Sequence, residues 1–244
     1  MVTGSARGIG KAIAQRLFNG GAKVVVADLD QGSVDEACRA IASESGASER
    51  ITGFACDVSN PDSVVAFFKA VKEKFGRLDI LVNNAGITRD NLFSRMTFEQ
   101  WKLVIDVNLK GTFNCAQAVA PYMIKQGGGK IIHISSQAGM VALPQRAAYC
   151  SSKGGVNQLT RTLACEWAPH HITVNAVAPT FVRTPFTEKM FEDEEFKNYV
   201  IDSIPLGRMA TADEVAYATL FLASDLANMI TGHILSVDGG WTIK

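Results

Sequence analysis

Short apolar runs alternate with longer amphipathic stretches along almost the whole chain. The runs AKVVVAD (22–28), ITGFACDV (51–58), LDILVNNAG (78–86), KIIHISS (130–136), ITVNAVAP (172–179) and GHILSVDGG (232–240) are rich in β-branched residues. Most end in Gly, Asn, Asp or Ser and lack strict apolar–polar alternation, the pattern of parallel strands covered on both faces. Between them, helical periodicity predicts helices over 9–19, 61–75, 98–126, 147–168 and 211–223. Asn60 followed by Pro61, and Thr211, mark two of the helix starts. Repeated strand–helix alternation implies right-handed crossovers. The expected fold class is α/β, a doubly wound Rossmann-type parallel sheet of about seven strands. Helices on both faces make three layers, α/β/α.

Two places depart from this rhythm. The opening MVTGSARGIG carries a glycine loop, yet only Met1 and Val2 stand before Thr3 and Gly4. A loop of this kind follows a buried strand, so the natural chain is expected to carry further N-terminal residues that complete it. The stretch 183–209 holds Pro185, Pro205, the charged run EKMFEDEEFK and the apolar Phe186, Met190 and Phe191. Its place after a strand predicts a substrate lid, because ligands of such sheets bind outside the strands' carboxyl ends. No repeat or low-complexity linker divides the rest, so residues 1–244 are read as one domain.

Composition narrows the function. Lys+Arg and Asp+Glu both number 24, which speaks against a nucleic-acid or polyanion binder. The chain has no apolar run long enough to cross a membrane and no secretory leader pattern. Cys38, Cys56, Cys115, Cys150 and Cys165 are scattered without metal or CxxC spacing, and read as reduced thiols of a cytoplasmic protein. His133 and His233 fall in strands, and His170 and His171 follow a helix; no metal site is expected.

The glycine loop opening a helix suits a pyrophosphate, which would meet backbone N–H groups and the helix dipole. Gly4 and Gly8 permit the turn, and Gly10 permits close packing. The spacing TGxxxGxG alone is equally compatible with a purely structural turn. Asp28 adds to it. Eighteen residues beyond Gly10, at a strand end, its carboxylate can accept both hydroxyls of an adenosine ribose. It would repel a 2′-phosphate by about 4 kcal/mol at ~4 Å and an effective dielectric of ~20. That favours NAD over NADP, while Arg7 in the loop could meet a phosphate and leaves NADP open. Asp30 is the alternative ribose partner.

At the other end of the chain, YCSSK places Tyr149 and Lys153 four residues apart, on one helix face. HISS supplies Ser135 and Ser136 at a strand end, and Asn108 lies inside a helix that it weakens.

Together these motifs resemble the compact, single-domain branch of the short-chain dehydrogenase/reductase family over nearly the whole chain. TGSARGIG matches its cofactor loop, Asn83–Gly86 its NNAG motif and Tyr149–Lys153 its YxxxK motif; Ser136 stands thirteen residues before the tyrosine. The resemblance implies that Tyr149 is the general acid/base and that Ser136 hydrogen-bonds the substrate oxygen. It implies that Lys153 binds the nicotinamide ribose and lowers the tyrosine pKa, and that Asn108 holds a water in a relay to Lys153. It implies a dinucleotide held by Gly4, Ser5, Arg7, Gly8, Ile9, Gly10 and Asp28. Asp57 and Val58 would border the adenine, with Asn84, Ala85 and Gly86 beside the adenosine. Pro179, Val182 and Thr184 would approach the nicotinamide. Thr180 departs from the family, where Gly is usual, and puts the local backbone path in question.

Ser136, Gln137, Gln145, Tyr149, Phe181 and Phe186 are the expected substrate residues, with Met140, Arg146 and Met190 as further pocket candidates. NNAGITRDNL is similar to 3-oxoacyl-carrier-protein reductases, which would imply NADPH and a basic docking surface. SIPLGRMATADEV and GHILSVDGGW are more similar to sugar, polyol and sugar-acid dehydrogenases. The expected activity is hydride transfer between NAD and a small secondary alcohol or ketone of that class. A purely dinucleotide-binding scaffold is disfavoured because Tyr149, Lys153, Ser136 and Asn108 are all retained. The resemblance also implies a homotetramer, with helices 98–126 and 147–168 packing against a twin pair.

Overall fold

A computed structural model describes residues 1–43, 46–184 and 187–243. Its centre is a seven-stranded sheet in the order β3-β2-β1-β4-β5-β6-β7. The strands are β1 (Val2–Thr3), β2 (Val24–Asp28), β3 (Ile51–Ala55), β4 (Ile80–Asn83), β5 (Gly129–Ile134), β6 (Ile172–Pro179) and β7 (Ile234–Val237). Every pairing is parallel. Short as it is, β1 is central. Val2 pairs with Val26 on one side and Val82 on the other. The ladder reaches Met1, whose carbonyl accepts from Val82 N at 2.9 Å and whose nitrogen donates to Ile80 O at 2.8 Å.

The helices are α1 (Gly8–Asn19), α2 (Gln31–Ser43), α3 (Pro61–Phe75), α4 (Phe98–Ile105), α5 (Gly111–Gln126), α6 (Ala147–Trp167), α7 (Glu194–Ser203) and α8 (Ala212–Ala223). Alternate residues of each strand feed opposite layers. Val24 and Val26 face the layer of α1, α2 and α8, with Ile13, Phe18, Ile41 and Leu222. Val25 and Ala27 face the layer of α3 and α5, with Phe67, Phe68, Cys115 and Met123. Apolar residues at both parities are what a sheet covered on both faces requires.

The helix starts follow their local chemistry. Asn60 caps α3 by accepting from Asp62 N at 3.0 Å, with Pro61 in the first turn. Thr97 with Gln100, and Thr211 with Glu214, form capping boxes on α4 and α8.

The structure differs from the sequence expectation in four respects. Helix α2 was not expected; its buried face is Val34, Ala37, Ile41 and Ala42, too weakly apolar to stand out. The single helix expected over 98–126 is two, joined by a π-helical turn at Asp106–Lys110. The 183–209 stretch contains α7 and a 3-10 turn at Glu188–Glu192. Strands expected over 51–58, 78–86, 130–136 and 232–240 stop early, and the residues past the first three of those ends build the site below. Among the described residues no helix is long and apolar enough to cross a membrane, and no group of side chains could hold a metal ion.

Candidate active site

The strand order reverses at β1 and β4, and there a crevice opens beyond the strands' carboxyl ends. A cavity of about 480 Å³ fills it and runs from the glycine loop to the start of α6.

The loop between β1 and α1 is shaped by its glycines. Gly4 and Gly8 have φ of +61° and +56°, in the left-handed region. Gly10 is required by contact: a Cβ there would stand 2.3 Å from Gly4 O and 2.5 Å from Asn84 Nδ2. The Asn84 amide donates to Thr3 O at 3.0 Å and Gly4 O at 2.8 Å, tying the loop to the end of β4. Thr3 Oγ1 accepts from the backbone N–H groups of Asn84 and Ala85, at 3.0 and 3.2 Å. Gly4, Arg7, Gly8, Ile9 and Gly10 line this end of the cavity. Ser5 does not. Its side chain is turned into the sheet, donating to Val2 O at 2.7 Å and accepting from Ala27 N at 3.1 Å, so it braces β1 against β2.

Asp28 lines the cavity at the end of β2. Its Oδ2 accepts from Ala6 N at 3.1 Å and its Oδ1 from Leu29 N at 2.9 Å, which fixes the carboxylate at the loop's edge. Asp30 instead faces away: its Oδ2 accepts from Ser33 N at 2.7 Å, at the start of α2. Asp57, Val58, Asn84, Ala85 and Gly86 complete this part of the wall.

The opposite end gathers the expected chemical groups. Tyr149 and Lys153 lie one turn apart on α6 and both line the cavity, with Ser136 from the end of β5. Ser135 Oγ donates to Asn157 Oδ1 at 2.6 Å, which fastens β5 to α6 and leaves Ser136 as the hydroxyl beside Tyr149. Burial raises the Tyr149 phenol above its ordinary range, while the Ser136 hydroxyl and the Arg146 guanidinium pull it down. Lys153 is not among the groups that shift it. The expected partner cation is thus replaced by Arg146, and Lys153 Nζ lies 5.6 Å from the Tyr149 ring centroid. Lys153 Nζ donates to Ile134 O at 2.7 Å, and burial lowers its pKa to about 8.

Asn108 lies in the π turn and outside the cavity wall. Its Oδ1 accepts from Ile87 N at 2.8 Å, and its Nδ2 donates to Ile87 O at 2.9 Å and Ser152 Oγ at 3.1 Å. Its side chain therefore holds a wall residue and α6 in place. A Cβ at Gly86 would stand 3.4 Å from Asn108 Oδ1 and 3.6 Å from Lys153 Nζ, so the two residues flank Gly86.

Pro179, Val182 and Thr184 line the cavity as expected, as do Gln137, Phe181, Arg146 and Met190. Thr180 keeps the sheet path, donating its N–H to Val237 O at 3.1 Å. Among the described residues only Gln145 and His171 have positive φ without being glycine, so Thr180 needs none of glycine's freedom. Gln145 and Met140 lie outside the wall. The Gln145 carbonyl accepts from Asn91 N at 2.8 Å in an exposed turn. Phe186 lies outside the described residues. Sequence reasoning missed Leu29, Arg89, Leu143 and Thr187, which also line the cavity. Leu29 follows the ribose acid directly, a position the motif itself signals; the others depend on loop paths.

The cavity's charges are segregated. Its only carboxylates among the described residues, Asp28 and Asp57, lie at the glycine-loop end, whereas Arg89, Arg146 and Lys153 lie toward Tyr149.

Comparison with known proteins agrees with this geometry. A family model described as enoyl-(acyl carrier protein) reductase matches residues 4–242. The chain is 42% identical over 243 residues to a 3-oxoacyl-[acyl-carrier-protein] reductase of Thermotoga maritima, covering 100% of this chain and 97% of that one. It is 42% identical over 244 residues to the D-threitol dehydrogenase of Mycolicibacterium smegmatis, covering 100% and 92%. The crystal structure of a gluconate 5-dehydrogenase from Burkholderia cenocepacia, in complex with NADP and tartrate, superposes with a TM-score of 0.95 at 36% identity. That match covers 99% of this chain and 94% of that one.

Proposed function

The chain belongs to the short-chain dehydrogenase/reductase family, and on that premise we propose that it moves a hydride between a nicotinamide dinucleotide and a secondary alcohol or ketone, with Tyr149 as general acid/base. One observation carries this reading. A single cavity joins a glycine loop and a strand-end acid, Asp28, to Ser136, Tyr149 and Lys153. The loop fits a pyrophosphate: Gly4 and Gly10 leave no room for a Cβ, and the first turn of α1 offers its backbone N–H groups.

When bound, the nicotinamide supplies the hydride acceptor or donor. The remaining work falls to this chain. The buried phenol of Tyr149 holds its proton, and passes it to the substrate oxygen in reduction or recovers it in oxidation. Ser136 donates a hydrogen bond to the same oxygen. The Lys153 ammonium, anchored on Ile134 O, reaches the nicotinamide ribose. Asn108 fixes Ile87 beside Lys153, and its place in a proton relay rests on their shared contact with Gly86. The 183–209 stretch serves as a lid over the substrate end; Thr184, Thr187 and Met190 already wall it.

Asp28 supports NAD as the preferred cofactor. Arg7 on the same wall keeps NADP in play, and the Burkholderia enzyme was solved with NADP. The names of the threitol and gluconate enzymes support a sugar, polyol or sugar-acid substrate. A second reading, reduction of a 3-oxoacyl thioester, is favoured by the Thermotoga relative. Initial rates with NAD and NADP across polyols, sugar acids and an acetoacetyl thioester separate the two. A strong NADPH preference with the thioester would refute the first.

The assembly proposed is a homotetramer in the cytoplasm. A shallow groove of about 250 Å³ on the outer faces of α5 and α6 is lined by Phe113, Ile124, Leu163 and Trp167. Phe113 is 44% exposed in the single chain, as expected of a face that packs against a second copy. A monomeric mass in sedimentation would overturn this.

A further inference from the structure

The substrate end of the cavity holds two features that hydride transfer does not explain. Gln137, next to Ser136, is 1% exposed, lines the cavity, and has no partner for either Nε2 or Oε1. A buried amide without partners is costly, and such groups in native structures mark a role. Thr180 Oγ1 on the same cavity is also buried and unpartnered.

The second feature is Arg146. It stands one helical turn before Tyr149, and its side chain is only 13% exposed. One nitrogen, Nη2, pairs with Asp90 Oδ2 at 3.0 Å. The guanidinium lies over the Phe181 ring at 5.1 Å and the Phe196 ring at 5.9 Å, which holds its plane. Among the described residues Nε and Nη1 have no acceptor. Asp90 is not part of the cavity wall, and no acid lines this end. A nearly buried, orientation-locked guanidinium with free N–H groups fits a planar carboxylate better than a hydroxyl. The free Nε2 of Gln137 adds a donor, and its Oε1 accepts from a neighbouring substrate hydroxyl.

We propose that the substrate end is built for a hydroxy acid: Arg146 and Gln137 hold the carboxylate of a sugar-acid-like substrate while Ser136 and Tyr149 engage the hydroxyl that is oxidised. This rests on the dehydrogenase reading and narrows it from polyols and sugar acids to the acids.

A matched pair of probes tests it. Gluconate and glucitol share a six-carbon hydroxylated chain and differ in a terminal carboxylate against a CH2OH. With NAD, the unaltered enzyme is expected to show kcat/KM for gluconate at least about tenfold above glucitol. In Arg146→Gln that ratio is expected to fall about ten- to a hundredfold, the worth of a charge-assisted hydrogen bond. Arg146→Lys, which keeps charge but loses the fork, is expected to fall between. NADH affinity and thermal midpoints identify any variant that has failed to fold, and the unaltered enzyme's own ratio needs no variant. Equal or better turnover of glucitol overturns the carboxylate site and leaves the dehydrogenase reading standing. So does a gluconate-to-glucitol ratio unmoved in folded Arg146→Gln. Reduction of an acetoacetyl thioester with neither probe oxidised overturns the dehydrogenase reading and the carboxylate site together.

Discussion

Three glycines around the cofactor loop make a graded test of whether contact or backbone conformation shapes this site. In Gly10→Ala the new Cβ would stand 2.3 Å from Gly4 O and 2.5 Å from Asn84 Nδ2, closer than real atoms approach. The Asn84 amide must move, and it loses hydrogen bonds to Thr3 O and Gly4 O. Two net hydrogen bonds are worth about 2 kcal/mol. Forcing a methyl into filled space adds roughly 1–3 kcal/mol. A cost of about 3–5 kcal/mol corresponds to a fall in thermal midpoint of roughly 6–20 °C for a chain of this size. Gly8→Ala meets nothing nearer than 3.7 Å, but its φ of +56° costs an alanine about 1–2 kcal/mol. Gly86→Ala, with its nearest atom 3.4 Å away, is expected to leave the midpoint within about 2 °C. Differential scanning fluorimetry reads the stability order, and NADH fluorescence titration reads the site. Gly10→Ala is expected to weaken NADH binding at least about tenfold, because Gly4 and Asn84 both line the cofactor end. NADH affinity within twofold and an unchanged midpoint in Gly10→Ala would refute the reasoning.

Other predictions follow from the same geometry. Tyr149→Phe is expected to lower kcat by about 10²–10⁴-fold while NADH affinity stays within threefold; undiminished turnover would remove Tyr149 from acid/base duty. Asp28→Ala is expected to raise the NADP-to-NAD ratio of kcat/KM by at least about a hundredfold, within the ~4 kcal/mol limit of a like-charge contact; initial-rate measurements with both cofactors check it. Lys153 has a folded pKa of about 8 against an ordinary 10.5, lowered by burial. The folded state therefore releases this proton first, so the stability lost to the buried ammonium below pH 8 is regained as pH rises toward 10.5. The urea midpoint of the unaltered protein minus that of Lys153→Met is expected to rise across that window. NADH affinity is expected to weaken above pH 8 in the unaltered protein and to stay flat in Lys153→Met.

Much of this architecture is legible in the chain because both layers of the sheet draw on the same β-branched runs. Val24, Val25 and Val26 announce a doubly covered strand without any knowledge of its neighbours. Helix α2 escapes the same reading because alanine and cysteine carry much of its packing face, and its cap, Asp30, resembles a ribose-binding acid. Periodicity also cannot reveal the π turn, since the apolar rows of α4 and α5 are each regular on their own. Within the site, Tyr149, Lys153 and Asp28 are legible because their chemistry depends on local spacing. The target of Asn108 is not, because Ile87 reaches it only through the fold. Ser5 shows the converse: it sits inside a recognisable motif, yet its hydroxyl serves the sheet.

The π turn at Asp106–Lys110 constrains how this chain's length can vary. One residue more than an α-helical turn needs is absorbed there, so α4 and α5 can both face the sheet. Deleting any one of those five residues would favour a continuous α-helix and rotate everything beyond it by about 100°. Cys115, Val119 and Met123 would swing out of the core, and Asn108 would leave Ile87. A gap of one residue here would thus be a small edit to the text and a large one to the molecule. In this segment, substitutions are the tolerable currency of sequence drift and deletions are not.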